Sequence, residues 1–191
     1  MAAKQMGFYI DQASCIGCFT CQIACKDKND LQVNQLWRKV HEFKGGGSEE
    51  QDGIIRSNVY AYWLSMSCNH CEHPKCVANC PTGAMHKRED DGIVLVDREK
   101  CIGCGYCVWS CPYGATRLID HLSSKCNFCI DLLEQGKKPA CVGACIMRAL
   151  DYGPIDELRA KYGLEAEIKG LPSADITSPS VVITPHKDAI K

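Results

Sequence analysis

Cysteines are the side chains whose type and spacing could carry chemistry, since 16 of the 191 residues are cysteine. Cysteine this dense has three ordinary uses: a disulfide framework, zinc sites, or iron–sulfur clusters. Disulfide scaffolds are typically small secreted domains, so a longer chain without a secretion signal disfavours the first use. The cysteines form four sets of four: Cys15, Cys18, Cys21 and Cys25; Cys68, Cys71, Cys76 and Cys80; Cys101, Cys104, Cys107 and Cys111; Cys126, Cys129, Cys141 and Cys145.

The spacing within the sets favours iron–sulfur clusters over zinc. The first and third sets read C-x2-C-x2-C-x3-C, which suits a loop wrapped around one cubane, whereas zinc ribbons pair two separated C-x2-C knuckles. In the third set Pro112 follows Cys111 and completes the signature of bacterial ferredoxins. The fourth set is C-x2-C-x11-C-x3-C, and its long gap leaves a zinc knuckle open at that position.

The fourth cysteine of such a run ligates a neighbouring cluster and not the one bound by the first three. Applied to all sets, this rule predicts four [4Fe–4S] clusters whose sixteen iron ligands are the same cysteines, and no catalytic residue is predicted. Cluster 1 would be held by Cys15, Cys18, Cys21 and Cys145; cluster 2 by Cys25, Cys126, Cys129 and Cys141; cluster 3 by Cys68, Cys71, Cys76 and Cys111; cluster 4 by Cys80, Cys101, Cys104 and Cys107.

Short elements must position these ligands, so we predict an α+β fold of two ferredoxin-like modules with small β-hairpins and short helices. Residues 67–117 hold sets two and three and form the predicted central 2[4Fe–4S] module. Residues 1–66 with 118–163 form the predicted outer module with a hairpin insertion, and 164–191 a C-terminal tail lying on a partner or on the domain.

The local patterns predict the elements of this fold. We expect strands at 7–11, 36–43 and 54–66, two short strands within 84–97, helices at 19–27 and 154–162, and a flexible polar loop at 45–53. Glycine at Gly17, Gly103 and Gly105 suits loops that turn their amides toward cluster sulfur.

Composition excludes several functions. With 22 basic and 23 acidic residues, the net charge of −1 offers no attraction for nucleic acid. No apolar run approaches the roughly 20 residues of a membrane span, and the N-terminus predicts no export signal. Hydrophobic residues make up 46% only when cysteine is counted, so the groups that the thiols bind must supply part of the interior.

Six segments carry a recognisable pattern: Ser67–Pro74, Cys80–Asp90, Cys101–Cys107, Cys111–Ala115, Gly136–Pro139 and Arg148–Arg159. Together they resemble the four-cluster iron–sulfur (B) subunits of dimethyl sulfoxide reductase and its relatives. The resemblance spans Gly7 to Pro185 and implies two ferredoxin-like modules with four [4Fe–4S] clusters. In the related nitrate reductase subunits a tryptophan replaces the second cysteine of the third set; here that residue is Cys104, which favours four irons in every cluster.

The resemblance also implies partners and a location. Such a subunit is non-catalytic and lies between a molybdopterin-containing catalytic subunit and an integral-membrane anchor that exchanges electrons with quinol, as in anaerobic respiration. We therefore expect a chain peripheral to the cell membrane, on a side that the sequence leaves open, because co-export with a twin-arginine-tagged partner would carry it outside the cytoplasm. A free-standing polyferredoxin and a zinc-rich interaction protein stay open as alternatives.

Overall fold

The computed structural model of the chain describes residues 4–189, in which short strands and short helices are joined by loops. The helices are α1 (Thr20–Lys28), α2 (Lys75–Ala78), α3 (Tyr106–Ser110), α4 (Ile130–Leu133), α5 (Ala140–Gly143) and α6 (Ile155–Tyr162), with a 3-10 turn at Ala174–Ile176. The strands are β1 (Met6–Asp11), β2 (Lys39–Gly45), β3 (Ser48–Gln51), β4 (Ile54–Ser57), β5 (Tyr60–Met66), β6 (Met85–Lys87), β7 (Val94–Val96), β8 (Arg117–Ile119), β9 (Leu122–Ser124), β10 (Leu150–Pro154) and β11 (Val181–Thr184).

A three-stranded sheet with β1 at its centre joins the two ends of the chain. β1 pairs antiparallel with β10 and parallel with β11. Successive side chains of a strand point to opposite faces. Phe8 and Ile10 therefore enter the main core with Val181, while Tyr9 and Val182 pack against α6 on the other face.

The remaining strands form four two-stranded hairpins. β2 pairs with β5 and β6 with β7, which confirms a hairpin around the glycine-rich segment and the short strands within 84–97. The single strand predicted at 54–66 is wrong, because β4 and β5 are separate strands with different partners. The prediction of a flexible loop at 45–53 is wrong, because Ser48–Gln51 pairs with Ile54–Ser57 in a second hairpin beyond the first. All eight residues of that outer hairpin are exposed, which explains why its sequence carries no pattern of buried alternation.

Four of the helices are only four or five residues long, so local hydrogen bonding alone cannot stabilise them. The main core that supports them includes Cys21, Cys68, Cys126, Cys141 and Cys145. Packing around the cysteines therefore holds these helices in place.

The predicted α+β class is confirmed, as are the strand at 7–11 and the helix before Gly163. Within the predicted C-terminal tail, Val181, Val182 and Ile183 are at most 1% exposed in β11, so this segment lies on the domain itself. The division into an outer and a central module stays a prediction. Between residues 4 and 189, none of the helices combines the length and apolar character that a bilayer crossing requires.

The pairing of β1 allows a test with a matched control. A Cβ atom at Gly7 would lie 2.6 Å from the Ser180 carbonyl oxygen and 2.7 Å from Ile155 Cδ1. Gly153 is its partner in the β1–β10 ladder, and a Cβ there would meet nothing within 4 Å. Gly7→Ala is expected to lower the free energy of unfolding by about 1–3 kcal/mol, whereas Gly153→Ala should change it little. Thermal unfolding of both variants at equal iron content measures this, and equal losses would contradict the assigned packing.

Candidate iron–sulfur cluster sites

Each set of cysteines ends in a C-x3-C pair that begins on a short helix. Cys21 and Cys25 lie on α1, and residues four apart on a helix face the same side one turn apart. α1 packs against α5, which carries Cys141, and α2 packs against α3. The two helix pairs thus bring the ends of different sets together: α1 with α5 joins sets one and four, and α2 with α3 joins sets two and three.

Each set begins with a C-x2-C loop, and the residue before its second cysteine has a positive φ in all four sets. Gly17 and Gly103 have φ of 66° and 69°, as their sequence predicts. His70 and Phe128 occupy the same position with φ of 45° and 62°. Sequence reasoning missed these two because neither is glycine; aligning the four C-x2-C loops would have found them. The same tight turn therefore recurs at every predicted cluster.

Two cavities have walls made of cysteines from different sets. The first is lined by Cys15, Cys18, Cys21 and Cys145, together with apolar groups such as Ile16 and Val40. The second is lined by Cys80, Cys101, Cys104 and Cys107, together with Ile102 and Leu118. The structure therefore brings together, around one cavity each, the residues predicted to hold clusters 1 and 4.

The other eight cysteines influence one another through their charges. Burial raises the pKa of Cys25 to about 11, with Cys141 and Cys129 adding to the rise. Burial likewise raises the pKa of Cys76 to about 12, with Cys68, Cys111 and Cys71 adding. Burial also raises the pKa of Cys126, and there the added contributions come from Cys25, Cys68 and Cys141. The charge interaction of Cys126 with Cys68 therefore indicates that the ligand sets predicted for clusters 2 and 3 lie next to each other.

The donor set fits anionic sulfur clusters. Four buried side-chain atoms lack a hydrogen-bond partner within residues 4–189, and all are nitrogens that can donate: Gln12 Nε2, Arg38 Nε, Asn69 Nδ2 and His70 Nε2. His70 Nδ1 accepts from the Val94 amide at 3.0 Å, so Nε2 carries the proton of the neutral ring. Burial, with Lys125 and Arg38 nearby, holds the pKa of His70 well below its usual range. Donors without acceptors are what sulfide and thiolate would satisfy.

The thiols do not converge as ligands of a single ion would. Zinc gathers four ligands at about 2.0–2.3 Å from one point. Over residues 4–189, no three His, Cys, Asp or Glu side chains converge in that way. A cubane instead offers one iron to each thiolate, which suits cysteines spread around the wall of a cavity.

Several hydroxyl and amide groups form hydrogen bonds with cysteine sulfur. The Ser65 hydroxyl lies 3.2 Å from Cys21 Sγ, and the Cys107 thiol donates to the Ser123 hydroxyl at 3.3 Å. Backbone amides also donate to sulfur, from Met85 to Cys80 at 3.3 Å and in three further cases. A ligating thiolate has no proton to give, so on ligation both hydroxyls would donate to sulfur as the amides do, and all of these groups would stabilise its negative charge.

Short helices, recurrent tight turns and thiol-lined cavities define an iron–sulfur electron-transfer protein of the ferredoxin type. In agreement, residues 59–155 match the family model described as a 4Fe-4S dicluster domain. Iron–sulfur clusters are therefore the cofactors of this chain.

Sequence comparison with known proteins identifies the family within this class. The chain is 50% identical over 188 residues to the B subunit of anaerobic dimethyl sulfoxide reductase of Escherichia coli K12, an alignment that covers 97% of this chain and 91% of the relative. It is 49% identical to the subunit of the same name from Haemophilus influenzae, with 97% and 92% covered. It is 40% identical to the thiosulfate reductase electron transfer subunit of Salmonella typhi, with 77% and 74% covered.

The chain thus belongs to the family of iron–sulfur B subunits of dimethyl sulfoxide reductase and its relatives. This membership confirms the resemblance drawn from the sequence, and with it the expectation of a non-catalytic electron-transfer subunit.

A glycine in the third cysteine loop provides a test of the site. Gly103 has φ of 69°, and a Cβ there would lie 2.1 Å from the backbone oxygen of His121. Gly114 has a similar φ of 59°, but a Cβ there would meet nothing within 4 Å. Gly103→Ala is expected to displace the loop and lower the iron content per chain, while Gly114→Ala costs only its backbone strain, about 1–2 kcal/mol. Iron analysis of the purified variants measures the difference, and equal iron loss would show that the close packing is unimportant.

Proposed function

We propose that the chain binds four [4Fe–4S] clusters with crossed ligation and passes electrons along them between two partner subunits. The observation that carries this proposal is the cavity lined by Cys15, Cys18, Cys21 and Cys145, because its wall joins one end of the chain to the other. The cavity lined by Cys80, Cys101, Cys104 and Cys107 repeats the arrangement elsewhere in the chain. The mutual influence of the remaining cysteines supports the ligand sets of clusters 2 and 3.

The same contacts support a row in the order 1, 2, 3, 4. Cys21 and Cys25, one turn apart on α1, would join clusters 1 and 2. The charge coupling of Cys126 with Cys68 would join clusters 2 and 3. Cys76 and Cys107 share a small core with Val94, which would join clusters 3 and 4. Clusters 1 and 4 are then the two ends of the row.

Both ends of the proposed row carry exposed apolar side chains. At cluster 1 these are Ile16, Phe19, Ile23, Ile146 and Met147, which are 41–63% exposed. At cluster 4 they are Ile102, Tyr106, Trp109 and Leu118, which are 44–79% exposed. Grouped apolar side chains in water mark interaction surfaces. We call these groups the cluster 1 collar and the cluster 4 collar, and their presence disfavours a free-standing polyferredoxin.

The two collars would accommodate two partners. Relatives of this chain are named as subunits of dimethyl sulfoxide and thiosulfate reductases, so one proposed partner is a molybdopterin-containing catalytic subunit. The other is an integral-membrane anchor linked to quinol, which would hold the chain peripherally at the cell membrane. Transport with a twin-arginine-tagged partner would place the complex outside the cytoplasm.

Residues around the clusters would favour electron transfer by hydrogen bonding to sulfur and by excluding water. Each cluster, when bound, supplies a centre that takes up and releases one electron. Ser65 and Ser123 would hold hydrogen bonds to sulfur, which stabilise added negative charge. Ile16 and Ile102 line the two cavities and would keep water from them, all the more once a partner covers the collars.

Adjacent cysteines of α1 test the crossed ligation. Cys21→Ser is expected to disturb cluster 1, whereas Cys25→Ser should disturb cluster 2, although the two residues are one turn apart. Electron paramagnetic resonance of the reduced variants separates the two signals, with the unmodified chain as control. If the Cys25 variant altered cluster 1 and left cluster 2 intact, the crossed assignment would be wrong.

The collars test the subunit role. Trp109→Ser and Ile146→Ser are each expected to weaken retention of a different partner during purification from the native host. For Trp109, loss of an aromatic anchor costs about 2 kcal/mol or more, which is at least tenfold in affinity. Val33→Ser is the matched control, because Val33 is 81% exposed and lies outside both collars.

Equal iron content in the three variants would show that the clusters are unaffected. Isolation of the natural chain as a stable, fully reducible monomer would contradict the subunit role and favour a free electron carrier.

A further inference from the structure

Two basic side chains lie buried in the interior. Arg38 is 1% exposed and Lys125 is 3% exposed, in contrast with Lys39, which follows Arg38 and is exposed. Lysine and arginine are almost never fully buried unless a negative charge accompanies them. Both residues therefore need an explanation.

The hydrogen bonds of Arg38 end on neutral groups. Its Nη1 donates to the Ser65 carbonyl at 2.9 Å and to the Ser65 hydroxyl at 3.2 Å. Its Nη2 donates to the Ser67 hydroxyl at 3.0 Å, and the guanidinium carbon lies 4.8 Å from the centre of the Phe8 ring. Nε is left without a partner in the described part of the chain.

Lys125 shows the same pattern. Its Nζ donates to the Cys126 carbonyl at 2.7 Å and to the Val94 carbonyl. Among residues 4–189 neither Lys125 nor Arg38 forms an ion pair with a carboxylate. Taking a charge out of water is costly unless an opposite charge lies close by. The compensating charge must come from something other than acidic side chains.

The cysteines around the two cations identify that charge. The Ser65 hydroxyl that accepts from Arg38 Nη1 lies 3.2 Å from Cys21 Sγ. The Phe8 ring under the guanidinium stacks on Phe128, which follows Cys126 by two residues. In keeping with these contacts, the charges of Cys141, Cys21, Cys126 and Cys25 raise the pKa of Arg38 against the effect of burial. Arginine stays protonated at any accessible pH, so its positive charge is permanent. Of these cysteines, Cys21 belongs to proposed cluster 1 and the other three to proposed cluster 2. Arg38 therefore lies at the junction of clusters 1 and 2.

Lys125 lies at the next junction. Lys125 precedes Cys126 in the chain, and its Nζ donates to the Cys126 carbonyl. The other acceptor of Nζ is the carbonyl of Val94, whose side chain packs with Cys76 in one small core. Cys126 belongs to proposed cluster 2 and Cys76 to proposed cluster 3. The two cations thus lie on either side of cluster 2.

We propose that Arg38 and Lys125 are internal counter-cations of the cluster row, with Arg38 shared by clusters 1 and 2 and Lys125 shared by clusters 2 and 3. This inference rests on the proposed four-cluster arrangement. Both are positioning residues and not iron ligands. They stabilise the negative charge that a cluster gains when it takes up an electron, and so raise the reduction potentials of the clusters they face.

The test compares charge removal at three positions in the holoprotein: Arg38→Gln, Lys125→Gln and Lys39→Gln. Redox titrations followed by electron paramagnetic resonance give the four midpoint potentials, with each signal assigned by a single cysteine variant. Arg38→Gln is expected to lower the potentials of clusters 1 and 2, and Lys125→Gln those of clusters 2 and 3. Cluster 4 should move in neither variant, and the exposed control Lys39→Gln should move none.

A purely structural role predicts a different result. If Arg38 only braced Ser65 and Ser67, then Arg38→Lys, which keeps the charge and loses the planar fork, would behave like Arg38→Gln. Under our proposal Arg38→Lys restores the potentials of clusters 1 and 2 toward their native values. If Arg38→Gln fails to assemble clusters, Arg38→Lys must restore assembly and those potentials; its failure to do so would overturn the proposal.

Failure of this inference can be told from failure of the proposed function. A natural chain with fewer than four clusters would refute the four-cluster arrangement, and the inference with it. A natural chain with four clusters whose potentials are the same in Arg38→Gln and Lys125→Gln would refute the counter-cations alone.

Discussion

The rest of the structure depends on a spacing of four residues between the last two cysteines of each set. On a helix that spacing directs two thiols to the same side, one turn apart, and so toward two neighbouring centres. Cys21 and Cys25 on α1 meet Cys141 and Cys145, which follow them by more than a hundred residues. Long-range contacts of this kind tie together a chain whose helices are too short to be stable alone.

Cysteine spacing alone predicts the two thiol-lined cavities, because ligand geometry is a local property repeated along the chain. The strand at 7–11 and the helix before Gly163 are predictable from local hydrophobic and turn patterns. The parallel pairing of β11 with β1 is not, since it depends on contacts between opposite ends of the chain. The positive φ of His70 and Phe128 was not predicted, because residues other than glycine rarely adopt a positive φ.

The burial of Arg38 is also not predictable from the sequence. Arg38 and Lys39 are adjacent basic residues, and no local pattern indicates which of the two will be buried. The burial of Arg38 can be explained only once the fold has placed Ser65, Ser67 and the surrounding cysteines next to it.

The low apolar content of the chain has a related explanation. Cysteines and buried cations occupy an interior that hydrocarbon would fill in an ordinary domain, and negative clusters would balance those cations. Apolar side chains gather instead at the two collars, where partners would cover them.

The central claim is that four clusters lie along one chain, whereas the matched dicluster domain covers only residues 59–155. Iron and acid-labile sulfide, counted per chain in anaerobically purified protein, test it most directly. We predict about sixteen of each, because every cubane holds four irons and four sulfides. About eight of each, or zinc without sulfide, would contradict it.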